Sequence, residues 1–309
     1  MDPVILKIEG TDKKIGNKAI LTNISMDIRQ GEIVGLLGPN GSGKTTLIKL
    51  IVGLMKKSKG SIIINGFSQD KHFKKAMSSV GAIVENPEFY LHLTGYENLE
   101  LYAAMYNHIS EERIQEVITR VKLEHAIHQK VKTYSLGMKQ RLGIAQAILH
   151  KPNLLILDEP TNGLDPAGMK DFREHLLSLV KDEGTSVLFA THLLHEVEEL
   201  CDRMVIIQKG TIKATVNLQE ANSANTHVRM EIHPSDQAAD WLKTNGYTYE
   251  MSEGDFILQV KKEEVPILNK QLALADLQVY AIQPQKESIE AAFMKLTEGG
   301  TSHVKSHHE

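Results

Sequence analysis

Gly38-Pro39-Asn40-Gly41-Ser42-Gly43-Lys44-Thr45 fits the phosphate-binding pattern G-x-x-x-x-G-K-[ST] without departure. The composition follows from the chemistry. Glycines let the backbone curl so that successive N–H groups face a phosphate oxygen. A helix opening near Lys44 adds its positive N-terminal end. Lys44 supplies a point charge for the β- and γ-phosphates, and the Thr45 hydroxyl is placed to ligate Mg²⁺. The flanks agree: Glu32-Ile33-Val34-Gly35-Leu36-Leu37 predicts a buried strand, and residues 46–54 predict an apolar helix. Gly38 to Thr46 is thus the candidate nucleotide-binding stretch.

Working outward, strand and helix signals alternate from Val4 to about Val216, the pattern of an α/β domain with a largely parallel sheet. Leu154-Leu155-Ile156-Leu157, Ser186 to Ala190 and Met204 to Ile207 are uninterrupted apolar runs, as expected of strands covered on both faces. Between about residues 87 and 150 the strand signals stop. Helical spacing takes over at residues 97–106, 110–121 and 137–149, which predicts a helical insertion. Small and polar residues at 218–226 predict a linker after a first domain of residues 1–217. A smaller α+β module follows over 227–298. Its predicted order is β-α-β-β-α-β (227–233, 235–245, 247–251, 255–260, 263–275, 277–282), which points to a ferredoxin-like fold. A last helix is predicted at 288–296 and a disordered tail at 299–309, where His303, His307 and His308 read as part of a frayed terminus.

With 309 residues, 41% hydrophobic and 24% charged, the chain has the composition of a soluble globular protein. The formal charge of −4 argues against a nucleic-acid partner. A single cysteine, Cys201, excludes an intrachain disulfide framework and reads as a small buried hydrophobe. No run approaches the roughly 18–20 apolar residues that span a bilayer, and the first residues lack the pattern of a signal peptide. Any action at a membrane therefore requires a partner.

Leu157-Asp158-Glu159-Pro160 ends a buried strand with two adjacent carboxylates. Ligands of open α/β sheets gather at the carboxyl ends of strands, and unpaired acids beside an apolar sheet are costly. Asp158 suits a Mg²⁺ ligand, direct or through water, and Glu159 the base that orients or deprotonates an attacking water. Tyr134-Ser135-Leu136-Gly137-Met138-Lys139-Gln140-Arg141 opens a helix about twenty residues earlier and predicts a second anion site at free backbone N–H groups.

Adding Asn162-Gly163-Leu164-Asp165 and Thr191-His192, residues 4–216 resemble the ATPase subunit of ATP-binding-cassette (ABC) transporters. The resemblance implies a P-loop NTPase with a RecA-like core, ATP and Mg²⁺ as ligands, and a head-to-tail dimer, either a homodimer or a paralogous heterodimer. It further implies that Ser135 and Gly137 act in trans on the nucleotide of the second subunit. His192 then contacts the γ-phosphate and aligns Glu159 with the water.

Four positions depart from the family pattern. Ile15 stands where an aromatic residue usually stacks on adenine, so it offers apolar contact without π-stacking. Leu136 and Met138 replace a glycine and the glutamine that are commoner in the signature loop. Glu85, in Val84-Glu85-Asn86-Pro87, occupies the place of a glutamine that senses the γ-phosphate and Mg²⁺. A carboxylate binds Mg²⁺ more strongly than an amide and repels phosphate if unpaired. Glu85, the small C-terminal module and its ending Glu290-Ala291-Ala292-Phe293-Met294-Lys295-Leu296-Thr297 resemble the branch of bacitracin exporters and lantibiotic self-immunity transporters.

The resulting expectation is an ATPase that powers export of a peptide antibiotic or similar amphiphile. It works with a separate integral-membrane permease, at the cytoplasmic face of the membrane. The competing class is a soluble cassette ATPase acting on ribosomes, DNA or a regulatory partner. Against that class, the chain has one cassette and no sustained heptads.

Overall fold

The computed structural model of the chain describes residues 2–85, 87–106, 109–164, 166–218, 226–261 and 263–285. Asn86, Asp165, most of the predicted linker, the predicted last helix and the histidine-bearing tail lie outside the described residues. The chain divides into two compact units, Met1–Val216 and Asn217–Glu309.

In the first unit, β1 (Val4–Ile15), β2 (Lys18–Arg29), β4 (Lys59–Ile64) and β5 (Phe67–Ser68) make an antiparallel sheet in the order β2-β1-β4-β5. The sequence expectation of a largely parallel central sheet does not include this additional antiparallel one. Two residues, Gly16 and Asn17, join β1 to β2, too short a link for the crossover a parallel pair requires. A second sheet has the order β10-β9-β3-β8-β7-β6, built from β3 (Ile33–Leu37), β6 (Val80–Ile83), β7 (Leu154–Asp158), β8 (Ser186–Thr191), β9 (Arg203–Gln208) and β10 (Thr211–Asn217). The five strands from β9 to β6 are parallel. All residues of β3, β7 and β8 are buried, which is why they read as continuous apolar runs. Arg203 grips Glu32 in a two-point contact of 2.6 and 2.9 Å and thereby ties β9 to the start of β3.

The parallel register decides where the candidate residues meet. Leu37 lies opposite Thr191, Asp158 opposite Ala190 and Ile83 opposite Leu157. Four strands therefore end side by side, and the loops that leave them share one edge of the sheet.

Helix α1 (Lys44–Ile51) leaves β3, and the short α2 (Phe73–Met77) precedes β6. Three helices form the insertion: α3 (Gly95–Ala103), α4 (Glu111–Arg120) and α5 (Leu136–Ile148). Thr94 starts α3 with a reciprocal cap. Its hydroxyl accepts from Glu97 N–H at 3.1 Å, and the Glu97 carboxylate accepts from Thr94 N–H at 2.6 Å. Buried Arg113 of α4 donates to the last carbonyls of α5, Ile148 O at 2.7 Å and Leu149 O at 3.1 Å. It also pairs with Glu183 at the end of α6 (Pro166–Glu183), so the insertion is fastened to the core. Helix α7 (Leu194–Leu200) follows β8. Cys201 is buried against Gly35, and burial pushes its thiol pKa up, so the residue is a packing group.

The second unit carries β11 (Thr226–His233), α8 (Ser235–Thr244), β12 (Tyr249–Ser252), β13 (Asp255–Val260), α9 (Val265–Leu274) and β14 (Gln278–Gln285). Its antiparallel sheet runs β12-β13-β11-β14, the ferredoxin-like order. Val228, Met230, Phe256 and Leu258 pack with Leu242 of α8 and Leu268 of α9 in its own core.

Candidate nucleotide site

The loop after β3 permits no side chain at its two ends. A Cβ on Gly38 would lie 2.3 Å from Ile207 O, and one on Gly43 would lie 2.6 Å from Leu21 Cδ2. Gly43 also adopts φ +112°, a conformation that L side chains rarely take. Between these ends Pro39, Asn40 and Gly41 are exposed. Lys44 turns back under the loop, where it is only 5% exposed. Its Nζ donates to Gly38 O at 2.6 Å and lies 3.3 Å from Glu159 Oε1. No side chain caps the start of α1. The Ser42 hydroxyl is buried without a hydrogen-bond partner. An uncapped helix start, an orphaned hydroxyl and a buried cation together fit an anionic ligand such as a nucleotide phosphate.

The two carboxylates face different partners. Asp158 is 3% exposed and accepts a hydrogen bond from the Thr45 hydroxyl, while its Oδ1 has no partner. Burial pushes its pKa above the usual carboxylate range, the Glu159 and Glu85 charges push the same way, and Thr45 and Lys44 oppose them. A buried, partnerless carboxylate oxygen beside a hydroxyl is the donor set a hard divalent cation takes. Among the described residues no group of three or more His, Cys, Asp or Glu side chains could hold a metal by itself.

Glu159 sits on a left-handed backbone, φ +49°, and its N–H donates to Ala190 O at 2.9 Å. The turn swings its carboxylate away from Asp158. Oε1 meets Lys44, and Oε2 lies 2.8 Å from His192 Nδ1. His192 follows β8 directly, where Leu193 N–H donates to the Thr191 hydroxyl, which itself donates to Glu196 Oε2 at 2.6 Å. Lys44, Thr45, Asp158, Glu159 and His192 are thus brought together at one edge of the sheet.

Ser135 caps α5 by accepting from Met138 N–H at 3.3 Å. Gly137 has a Leu164 methyl 3.4 Å from the place a Cβ would take. Leu136 covers Gly163, at 2.5 Å from a would-be Cβ, and Gln140 Nε2 donates to Asn162 O at 2.9 Å. The substituted leucine and Gln140 thereby tie the signature segment to the turn after Glu159. Sequence reasoning misses this link because Leu136 and Gly163 are far apart along the chain. Ile15 is exposed on β1. Glu85, on φ +63°, is ion-paired with Lys49 at 2.7 Å. Lys49 is missed as well, although its place four residues after Thr45 on an apolar helix is a legible signal.

Comparisons with known proteins identify the family. The family model described as ABC transporter matches residues 21–162. The ABC transporter ATP-binding protein YdbJ of Bacillus subtilis (strain 168) is 60% identical over 293 residues, 95% of this chain and 95% of the relative. The bacitracin transport ATP-binding protein BcrA of Bacillus licheniformis is 36% identical over 302 residues, 96% of this chain and 98% of the relative. The lantibiotic transport ATP-binding protein SrtF of Streptococcus pyogenes is 41% identical over 208 residues, 67% of this chain and 89% of the relative. Among solved structures, a dimeric ATP-binding cassette in a post-hydrolysis state with ADP and Pi matches with a TM-score of 0.63 and 26% identity. That match covers 69% of this chain and 99% of the other. The coverage of YdbJ and BcrA extends through the small C-terminal unit. With the phosphate loop, the buried acid at the end of β7 and the histidine after β8 assembled at one sheet edge, the chain belongs to the ATP-binding proteins of ABC transporters and is an ATPase of that family.

Proposed function

We propose that this ATPase powers export of a peptide antibiotic or similar amphiphile through a separate membrane permease, working as a peripheral subunit on the cytoplasmic face. The observation that carries the catalytic part is Glu159 held between Lys44 and His192. The export part is supported by full-length similarity to a bacitracin transport protein and by the carboxylate at Glu85. Among the described residues no helix is long and apolar enough to cross a membrane, and the permease of this proposal is a separate chain.

In this reading residues 38–46 hold the ATP phosphates and Ile15 gives the base apolar contact. Thr45, Asp158 and Glu85 hold Mg²⁺, which neutralises charge on the phosphates when bound. Lys44 exchanges Gly38 O for phosphate oxygens. Glu159 accepts a proton from water as the water oxygen bonds to the γ-phosphorus and the β–γ bridging bond breaks, leaving ADP and phosphate. His192 orients Glu159 and that water. Ser135 and Gly137 act on the nucleotide of a second subunit, a homodimer or paralogous partner, in keeping with the dimeric cassette structure. A net charge of −4 gives nucleic acid no reason to compete.

The deciding experiment captures Glu159→Gln with ATP from detergent-solubilised native membranes and identifies co-purifying proteins by mass spectrometry. A polytopic permease supports the proposal. Ribosomal proteins or nucleic acid without a permease overturn it and leave the ATPase assignment intact.

A further inference from the structure

Glu85 follows β6 by two residues and directs its carboxylate to Lys49 Nζ at 2.7 Å. Lys49 stands one turn beyond Thr45 on α1, so the two side chains share a helix face. Thr45 in turn bonds Asp158. The Lys49–Glu85 pair therefore joins the helix behind the phosphate loop to the segment that leads into the helical insertion. Three carboxylates, Glu85, Asp158 and Glu159, converge on this edge, and Lys44 is engaged with Glu159. A further acid facing a triphosphate is repulsive unless a cation compensates it.

We propose that Lys49 is a positioning residue for nucleotide binding: its ammonium neutralises Glu85 and holds that carboxylate toward α1, which lets the site accept a polyanion with an acid at this position. The proposal rests on the nucleotide-site reading given above. Both members are partly exposed, with side chains 31% and 63% accessible, so the pair adds little to folding stability. Its loss is read in nucleotide affinity and leaves thermal stability in place.

The test uses the full-length protein and a non-hydrolysable ATP analogue, titrated calorimetrically with and without Mg²⁺ alongside thermal melts. Lys49→Met weakens binding roughly five- to tenfold, more without Mg²⁺ than with it, and leaves Tm essentially unchanged. Lys49→Arg keeps the affinity within about twofold, and in the Mg²⁺-free titration adding Glu85→Gln to Lys49→Met restores it to the same range. Lys49→Gln serves as a second neutral variant should Lys49→Met not fold. Unchanged affinity in Lys49→Met overturns the proposal alone, as does a loss that persists in the double variant. Failure of the wild-type protein to bind the analogue overturns the site reading and the proposal with it.

Discussion

Glu159 Oε2 and His192 Nδ1 are 2.8 Å apart, although 33 positions separate them in the chain. Their contact requires β7 and β8 to be parallel neighbours in the observed register and Glu159 to take up φ +49°. A left-handed backbone at a residue with a side chain costs about 1–2 kcal/mol, which the fold tolerates where the turn aims a functional group.

Replacing Glu159 by Gln keeps the length of the side chain and removes the base. ATP binding is expected to persist while turnover falls about 10²–10⁴-fold. Steady-state hydrolysis together with equilibrium nucleotide binding measures both. Wild-type turnover in this variant excludes Glu159 as the base.

Lys44→Ala removes a buried cation that is held within reach of the loop. Nucleotide affinity is expected to drop about 10- to 100-fold, the worth of charge-assisted hydrogen bonds to phosphate. Unchanged affinity in a fluorescent-nucleotide titration contradicts the role of the loop.

Asp158→Asn separates function from stability. The raised pKa of Asp158 means that the nucleotide-free fold resists the ionised form. Below the ordinary carboxylate pKa both folded and unfolded chains hold the proton, and no penalty exists. As pH rises through the folded-state value, the unfolded chain has already ionised and the fold alone carries the cost. The Asp158→Asn substitution therefore raises Tm of the nucleotide-free protein at neutral pH by about 2–4 °C. The gain fades toward pH ~3, while Mg²⁺-dependent hydrolysis is lost throughout. Melts across pH that show no difference, or a difference growing toward acid, refute this account.

Gly163→Ala meets two obstacles, a backbone at φ +79° and the Leu136 side chain. A loss of about 1–3 kcal/mol is expected in denaturant unfolding. Leu136→Ala in the same chain recovers the steric share and leaves the backbone share. If the double variant is no more stable than Gly163→Ala, Leu136 does not cover this glycine.

Much of this is legible in the sequence where the signal is local. The phosphate loop, the buried run ending at Asp158 and the helix opened by Ser135 each occupy fewer than twenty consecutive residues, and the structure places them as the patterns predict. The antiparallel sheet of β1, β2, β4 and β5 is not legible, because period-2 alternation marks a strand without naming its partner. The Lys49–Glu85 pair and the cover of Leu136 over Gly163 are hidden because each joins residues far apart in the chain that only the fold brings together.

By itself the sequence determined that the chain binds a nucleotide, that the core alternates strand and helix, and that a second α+β module follows. Those properties reside in short runs whose backbone and side-chain chemistry act on their neighbours in the chain. Only the tertiary structure decided that Glu159 lies between Lys44 and His192, that Asp158 turns to Thr45, and that Lys49 balances Glu85. Those relationships depend on which strands pair and in what register, and long-range packing sets both.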